Sequence, residues 1–468
     1  MDNINTFAQY YNNPVVLLEG GQYGHMTHIW EDYDLTFQDI KVMINDLFQG
    51  EIKAVKEKVD GQALAVSVND DGEVIFARNK GHVKDFGAKA LNWKGIADQF
   101  ADRGDLTDAF AFAAKDLCEA LSRLPKDIRQ ARFGIHDARV PAIGKSGTDV
   151  VKVKKWLNFE IIWPETTNVI PYNHRLIILH NFNAVDVNGV KRESDFNDFA
   201  KQVQNDLQQI NQLVQKKFTI STVPLLSIPK PKDFSLFISQ VRSKLDQLIM
   251  SANLTDQNTL GEYYSAIMTD KIYKTASNIS YPVTRDISNM LVRRWLYNEK
   301  RPNIRDLIKS IPDNPETMEV TSRFKEWIKS VEKTDMKKSM VANIIQPVKD
   351  IIIDVGVEVM INMSEFLALD ASGASRNMRE AIMQIAKQVE ASNDADLTKQ
   401  LDKYMNSIMS RGGLDKVAPT EGITFSYNNS VYKLTGTFTD INQIVGFFKY
   451  NRGRELSSRA QREVDKNI

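Results

Sequence analysis

Between Thr36 and Phe48 the apolar positions Phe37, Ile40, Val42, Met43, Ile44, Leu47 and Phe48 recur near helical spacing, which predicts an amphipathic helix. The period then changes. Gln62 to Val68 and Glu73 to Arg78 are apolar, β-branched runs joined by Asn69-Asp70-Asp71-Gly72, the pattern of a β-hairpin closed by an Asp-Gly turn. Residues 86 to 130 return to helix, with an apolar face at Leu106, Phe110, Ala113, Leu117, Ala120, Leu121 and Leu124. Strand-like runs follow at Leu157 to Ile162 and Leu176 to Leu179, then an Asn188-Gly189 turn.

From about residue 192 to 412 the texture is mainly helical and rich in Gln, Asn, Asp, Lys and Met. It carries proline breaks at Pro224 to Pro231, Pro282 and Pro302 to Pro315. The β pattern reappears at 419 to 438, where Glu421 to Tyr427 alternates, Asn428-Asn429 turns and Ser430 to Gly436 resumes a strand. A short amphipathic helix is expected from Asp440 to Tyr450, and Arg452 to Ile468 is charged. The expected organisation is α+β, with one β-rich domain built from both ends of the chain. Its parts are 1–191 and 413–450, interrupted by a separate helical insertion at 192–412 and followed by a tail at 451–468.

Composition narrows the function. Sixty basic and sixty acidic side chains cancel, so nucleic-acid binding would need local patches rather than a global positive field. The single cysteine, Cys118, excludes an intrachain disulfide and a zinc site built on several cysteines. The polar start, Met1 to Tyr11, and the lack of an apolar run near 20 residues lead us to expect no signal peptide, no membrane span and a cytoplasmic protein.

Four stretches carry candidate chemistry: Lys58-Val59-Asp60-Gly61; Ala77-Arg78-Asn79-Lys80-Gly81; Leu157 to Pro164 continuing into Thr167 to Tyr172; and Glu421 to Phe425 followed by Tyr432-Lys433-Leu434. A lysine becomes a nucleophile only when its ammonium loses a proton, through desolvation or a neighbouring cation. Glu160 sits inside an apolar run, where an unpaired carboxylate is costly to bury. Each residue also has a plainer reading. Lys58 suits a surface position beside a turn, Arg78 a solvated strand end, and Lys433 the polar face of a strand. Tyr172 and Phe182 suit an apolar core.

Taken in this order, the four stretches resemble the motifs of the covalent nucleotidyltransferases, which are ATP-dependent DNA and RNA ligases and mRNA capping enzymes. The third stretch, Asn158-Phe159-Glu160 followed by Pro164, Thr167-Asn168, Tyr172 and an apolar strand to Leu179, looks most like the RNA ligase 1 family of tailed phages. The resemblance covers roughly residues 50 to 190 and 419 to 438. It implies a nucleotidyltransferase core of antiparallel sheets with flanking helices. It also implies ATP and Mg²⁺ as cofactors, a lysyl-AMP intermediate, and sealing or repair of RNA or DNA ends, in a host cytoplasm if the chain is phage-encoded.

The resemblance makes Lys58 the nucleophile, with Lys433 as the neighbouring cation that helps lower its pKa. Glu421 would hold the metal. Asp60, Gly61, Arg78 and Glu160 would bind the nucleotide, and Tyr172 or Phe182 would stack on its base. The family usually ends its last motif with two lysines separated by one residue, whereas here Lys433 is followed by Leu434 and Thr435. Lys152, Lys154 and Lys155 are candidates for the missing charge and for nucleic-acid contacts. This departure keeps open a nucleotidyltransferase-fold protein with impaired chemistry and a nucleic-acid-binding or structural role, or one that acts on another acceptor. About 30 residues follow Lys433, too few for the oligonucleotide-binding barrel expected of a DNA ligase, which favours RNA.

Other signals are weaker. The six histidines show no metal-binding spacing, and Gly144-Lys145-Ser146 lacks the first glycine of a P-loop, because Arg139 stands there. Arg293, Arg294, Lys300, Arg301 and Arg305 lie near Trp295 and Tyr297. This is a combination that can track a nucleic-acid backbone or simply form a solvated helix face. Lys449, Arg452, Arg454, Arg459 and Arg462 near the end present the same choice.

Overall fold

The computed structural model describes residues 27–141, 148–164, 170, 172, 174–189, 191–192, 202–203, 205–206, 217–222, 225–226, 228, 234–275, 290–292, 294–295, 309, 322, 325–329, 336–363, 371–392, 395–418, 420–428 and 430–445. Several expectations lie outside the described residues: the polar start, the Gly144-Lys145-Ser146 segment, Thr167 to Val169, the proline breaks, Arg293, Tyr297, Lys300, Arg301, Arg305 and the charged tail.

Two sheets carry the β residues. The first has the strand order β1 (Thr27–His28), β12 (Ser430–Leu434), β11 (Gly422–Tyr427), β2 (Lys53–Lys58) and β10 (Leu225–Leu226). The second runs β4 (Val74–Ala77), β3 (Gln62–Val68), β6 (Thr148–Ile162), β7 (Leu176–Val185) and β8 (Lys191–Arg192). In addition β5 (Ile135–Pro141) pairs with β6, and β9 (Thr219–Thr222) pairs with β7. Most pairings are antiparallel; β1 with β12 and β7 with β9 are parallel. The β3–β4 and β11–β12 hairpins form as their turn sequences predict. The strand ending at Lys58 does not join the first of them. It lies in the other sheet, between β10 and β11, and Val59-Asp60-Gly61 crosses from one sheet to the other.

Helix α1 (Phe37–Gln49) forms where its apolar stripe predicts. Thr36 caps it, with its Oγ1 accepting from the Asp39 N–H at 3.0 Å and the Asp39 carboxylate accepting from the Thr36 N–H at 3.1 Å. Gly50, at φ 68°, ends it. Between β4 and β5 come α2 (Lys80–Val83), α3 (Trp93–Gln99), α4 (Asp105–Leu121) and α5 (Lys126–Phe133). The Phe110, Ala113, Leu117 and Leu121 side of α4 packs on Leu64, Val66, Leu157 and Phe159 of the second sheet.

The block at 192–412 does not stand apart from the sheets. Its opening includes β9 and β10, so the sheets continue past residue 192 to Leu226. Helices α6 (Ser235–Ser251), α7 (Leu260–Thr275) and α8 (Met336–Met363) share one core with α1 and with Val55, Ile423, Phe425, Tyr432 and Leu434 of the first sheet. Trp295 is buried in that core with its ring near Trp327, so this part of the basic-aromatic cluster is packing. Helices α9 (Ala371–Ser392), α10 (Ala395–Ser410) and α11 (Phe438–Val445) share another core with Val59, Ile162, Tyr172 and Ile178. A helix with an apolar stripe must bury it, and the uncovered face of the first sheet is what these helices bury against. Among the described residues no helix is long and apolar enough to cross a membrane.

The contact between α8 and the first sheet is backbone-close at Gly356. A side chain there would begin 2.7 Å from the Gly436 nitrogen and 3.0 Å from its Cα. A Gly356→Ala substitution should therefore reverse the usual preference for alanine inside a helix and destabilise the protein by about 1–3 kcal/mol. Urea unfolding measures this directly, and an unchanged or higher midpoint would mean that α8 does not sit against this strand end.

Candidate functional site

The crossover from Lys58 to Gly61 is held on both sides. On the first sheet Lys58 pairs with Gly422, and its carbonyl accepts from Thr420 Oγ1 at 3.4 Å. On the second, the Gly61 N–H donates to Glu160 Oε1 at 3.0 Å, and the Asp60 N–H donates to the Tyr172 hydroxyl at 2.8 Å. Asp60 Oδ2 accepts from the Ile170 N–H at 3.3 Å. Residue 61 must be glycine for steric reasons: an added Cβ would lie 2.7 Å from both the Glu160 Cγ and the Ile161 carbonyl oxygen.

This arrangement brings Glu421, 363 positions away in sequence, onto the Lys58 amine. The Nζ–Oε2 distance is 2.5 Å, and the two side chains are only 12% and 17% exposed. Gly422 permits the approach, since any side chain there would collide with the Leu434 carbonyl at 2.1 Å. Glu160 stands on β6 opposite Ala63, and its other oxygen lies 2.7 Å from His180 Nε2. His180 is the extra residue of a bulge in β7, between Leu179 paired with Phe159 and Asn181 paired with Asn158. Arg78 leaves β4 and reaches across β3, donating to the Ala63 carbonyl and, at 3.3 Å, to Gln62 Oε1.

Lys58, Asp60, Glu160, Arg78 and Glu421 thus converge where the two sheets meet. Three carboxylates surround Lys58. Burial pushes its pKa down, but Glu421, Glu160 and Asp60 outweigh burial and raise it to about 12. This corrects the expectation of a lowered pKa: in this state the amine is charged and paired. Burial pushes Glu160 up, yet Lys58, His180 and the Gly61 N–H hold it well below the usual carboxylate range. Glu421 is raised by burial and by the like charges of Glu160 and Asp60, against the pull of Lys58. Of Glu160 and Glu421, it is the one that more readily takes a proton. Burial pulls Arg78 down to about 10, against the attraction of Glu160.

The remaining expected residues divide. Lys433 is buried on the face of β12 opposite the Tyr432 and Leu434 core face, directly across from Thr424. Tyr172 belongs to the α9–α11 core and supports the crossover through its hydroxyl. Phe182 packs against the α4 core with Leu157, on the face of the second sheet away from Glu160. Lys154 points its amine at the Phe86 carbonyl, 2.6 Å away, and stands six residues (about 20 Å) along β6 from Glu160. Lys152 is exposed and Lys155 half-buried on the same distant stretch, so none of the three supplies charge at Lys58.

Sequence reasoning missed His180 and Lys56. The bulge that aims His180 has no local signature. Lys56 was within reach, because residues two apart on a strand share a face. Among the described residues no group of three or more His, Cys, Asp or Glu side chains is arranged as a metal site by itself. A magnesium ion is commonly held by one or two carboxylates together with substrate phosphates, and buried Glu421, short of positive charge, fits that role. No protein-family model matches the chain. No curated protein matches it.

The charge on Lys58 is testable without any substrate. At pH 9 a lysine with an ordinary pKa has about 3% of its amine unprotonated, and one at 12 has about 0.1%. Glu421→Gln removes the nearest counter-charge and lets burial dominate. Acetylation of Lys58 by acetic anhydride at pH 9, followed by mass spectrometry, should accelerate at least about tenfold in the variant. Equal or slower modification would show that Glu421 does not hold the proton on Lys58.

Proposed function

We propose that this chain is an ATP-dependent polynucleotide ligase with a nucleotidyltransferase core, acting on RNA ends ahead of DNA ends. The observation that carries the reading is the convergence of Lys58, Glu421 and Glu160 at the junction of two sheets. The preference for RNA rests on the Asn158 to Leu179 resemblance.

In the first step the neutral Lys58 amine attacks the α-phosphorus of ATP. An N–P bond forms, the bond to the bridging oxygen breaks, and pyrophosphate leaves with the electron pair. The proton must leave Lys58 beforehand. Parting of the 2.5 Å contact with Glu421 removes the main attraction holding it, and burial then favours the neutral amine. Glu421 would hold Mg²⁺, whose charge neutralises the triphosphate and opposes a protonated lysine. Glu160 is kept ionised and accepts hydrogen bonds from ribose hydroxyls, and Arg78 donates to a ribose or phosphate oxygen. AMP then passes from Lys58 to a 5′-phosphate, and a 3′-hydroxyl displaces it. A requirement for cellular ATP accords with a cytoplasmic setting.

A second reading is a nucleotide-binding protein of the same fold with impaired chemistry. The charged, paired state of Lys58 and the threonine at 435 favour it. Incubation with α-labelled ATP and Mg²⁺ separates the two. The ligase reading expects label on the denatured protein that survives alkali, is lost in acid, and is absent from Lys58→Ala. It then expects sealing of 5′-phosphorylated RNA more readily than DNA. A wild-type chain that binds ATP yet never becomes labelled would leave the second reading standing.

A further inference from the structure

The last motif lacks its second lysine, and the first sheet itself contains a replacement. Residues paired directly across antiparallel strands present their side chains on one face. Lys56 pairs with Thr424, and Thr424 pairs with Lys433, so these three form one row across β2, β11 and β12. The next row holds Lys58 and Gly422, with Thr435 beyond. The Thr435 Cα lies 2.8 Å from where a side chain on Gly422 would begin. Val55, Ile423, Phe425, Tyr432 and Leu434 occupy the opposite, helix-covered face. The face left toward the second sheet therefore carries Lys56, Lys58 and Lys433, with Gly422 letting the Leu434–Thr435 backbone lie close beside Lys58.

Lys56 is poorly satisfied there. Its amine spans the gap to the second sheet and donates to the His180 carbonyl at 3.3 Å, and among the described residues it meets no carboxylate. An ammonium has three donors, and holding one half-buried with a single long contact is unfavourable unless an anion completes it. Thr435 Oγ1 is also buried, with no hydrogen-bond partner among the described residues. Lys56, held by one long contact, and the unpartnered Thr435 hydroxyl thus belong to the same face of the sheet as Lys58.

We infer that Lys56 is a phosphate-binding residue for the triphosphate of the bound nucleotide, taking the place of the cation that Thr435 does not provide. The inference rests on the nucleotidyltransferase reading and adds a residue that the motif resemblance does not assign. Lys56 and Lys433, one strand apart on either side of Thr424, would grip the phosphates from two sides while Thr435 donates a neutral hydrogen bond. Phosphate oxygens would fill the donors left open on Lys56.

Calorimetric titration of the full chain with ATP, and separately with AMP, in Mg²⁺ tests this without requiring turnover. Lys56→Met keeps the length of the stem and removes the charge. It should weaken ATP binding about 10- to 100-fold, the worth of a charge-assisted hydrogen bond, while AMP affinity changes less than about threefold. Lys56→Arg should restore most of the ATP affinity. Equal ATP affinity in the wild type and Lys56→Met overturns the inference, as does a parallel loss for ATP and AMP, which would indicate a merely structural lysine. A wild-type chain that binds ATP without forming an adduct overturns the ligase reading and leaves the Lys56 comparison valid. One that binds neither nucleotide overturns both.

Discussion

The contact between Lys58 and Glu421 ties the architecture together. It joins the end of β2 to the start of β11 across almost the whole chain, and it does so in a buried setting where neither charge is tolerable alone. Two further acids, Asp60 and Glu160, stand close enough to raise the lysine pKa. Three carboxylates act on Lys58, more than it can balance by itself, while Arg78 and His180 stand against Glu160. A site built this way is stable with a proton or a cation in addition to Lys58, and it is poised to receive one. The charge imbalance explains why the resting lysine is protonated and why a change of partners at Glu421 would release it.

The layers around the junction follow from the same requirement. Charges a few ångströms apart must be held against their own tendency to rearrange, and the backbone does this through close approaches only glycine allows. Gly61 lies against Glu160, Gly422 against Leu434, and Gly356 against Gly436. The last of these carries the constraint outward. Helix α8 lies on the end of β12 without intervening side chains, so the helical block braces the strand that presents Lys433. The α9–α11 core does the same for the crossover by enclosing Val59 and Tyr172. The helices are part of what fixes the site.

Local pattern exposed a good part of this. The α1 stripe, both hairpins and the α4 face lie where periodicity and turn residues put them, because each is decided by neighbours within a few positions. Glu160 stood out as a carboxylate inside an apolar run, and it proved to be paired. What escaped was whatever depends on partners distant in sequence. The strand from Lys53 to Lys58 has the same period whether it continues toward β3 or leaves for another sheet, so the split between sheets left no mark. The beginning of the helical texture at 192 hid β9 and β10, whose short runs carry too little periodicity to register. Tyr172 and Phe182 read more readily as core than as platform, and only their neighbours distinguish a support under Asp60 from a side chain on the far face.

The threonine at 435 shows why a motif written along one strand is an incomplete description of a charged site. A phosphate responds to the positions of cations in space, and a sheet offers several routes to the same position. A lysine two residues along β12 and a lysine two strands away on β2 both project from one face into one gap. The pleat makes them near-equivalent in reach, although they are hundreds of residues apart in the chain. Loss of the first can therefore be offset by the second without any change in the fold. In the proposed reading, the charge that Thr435 does not carry is supplied across the sheet by Lys56.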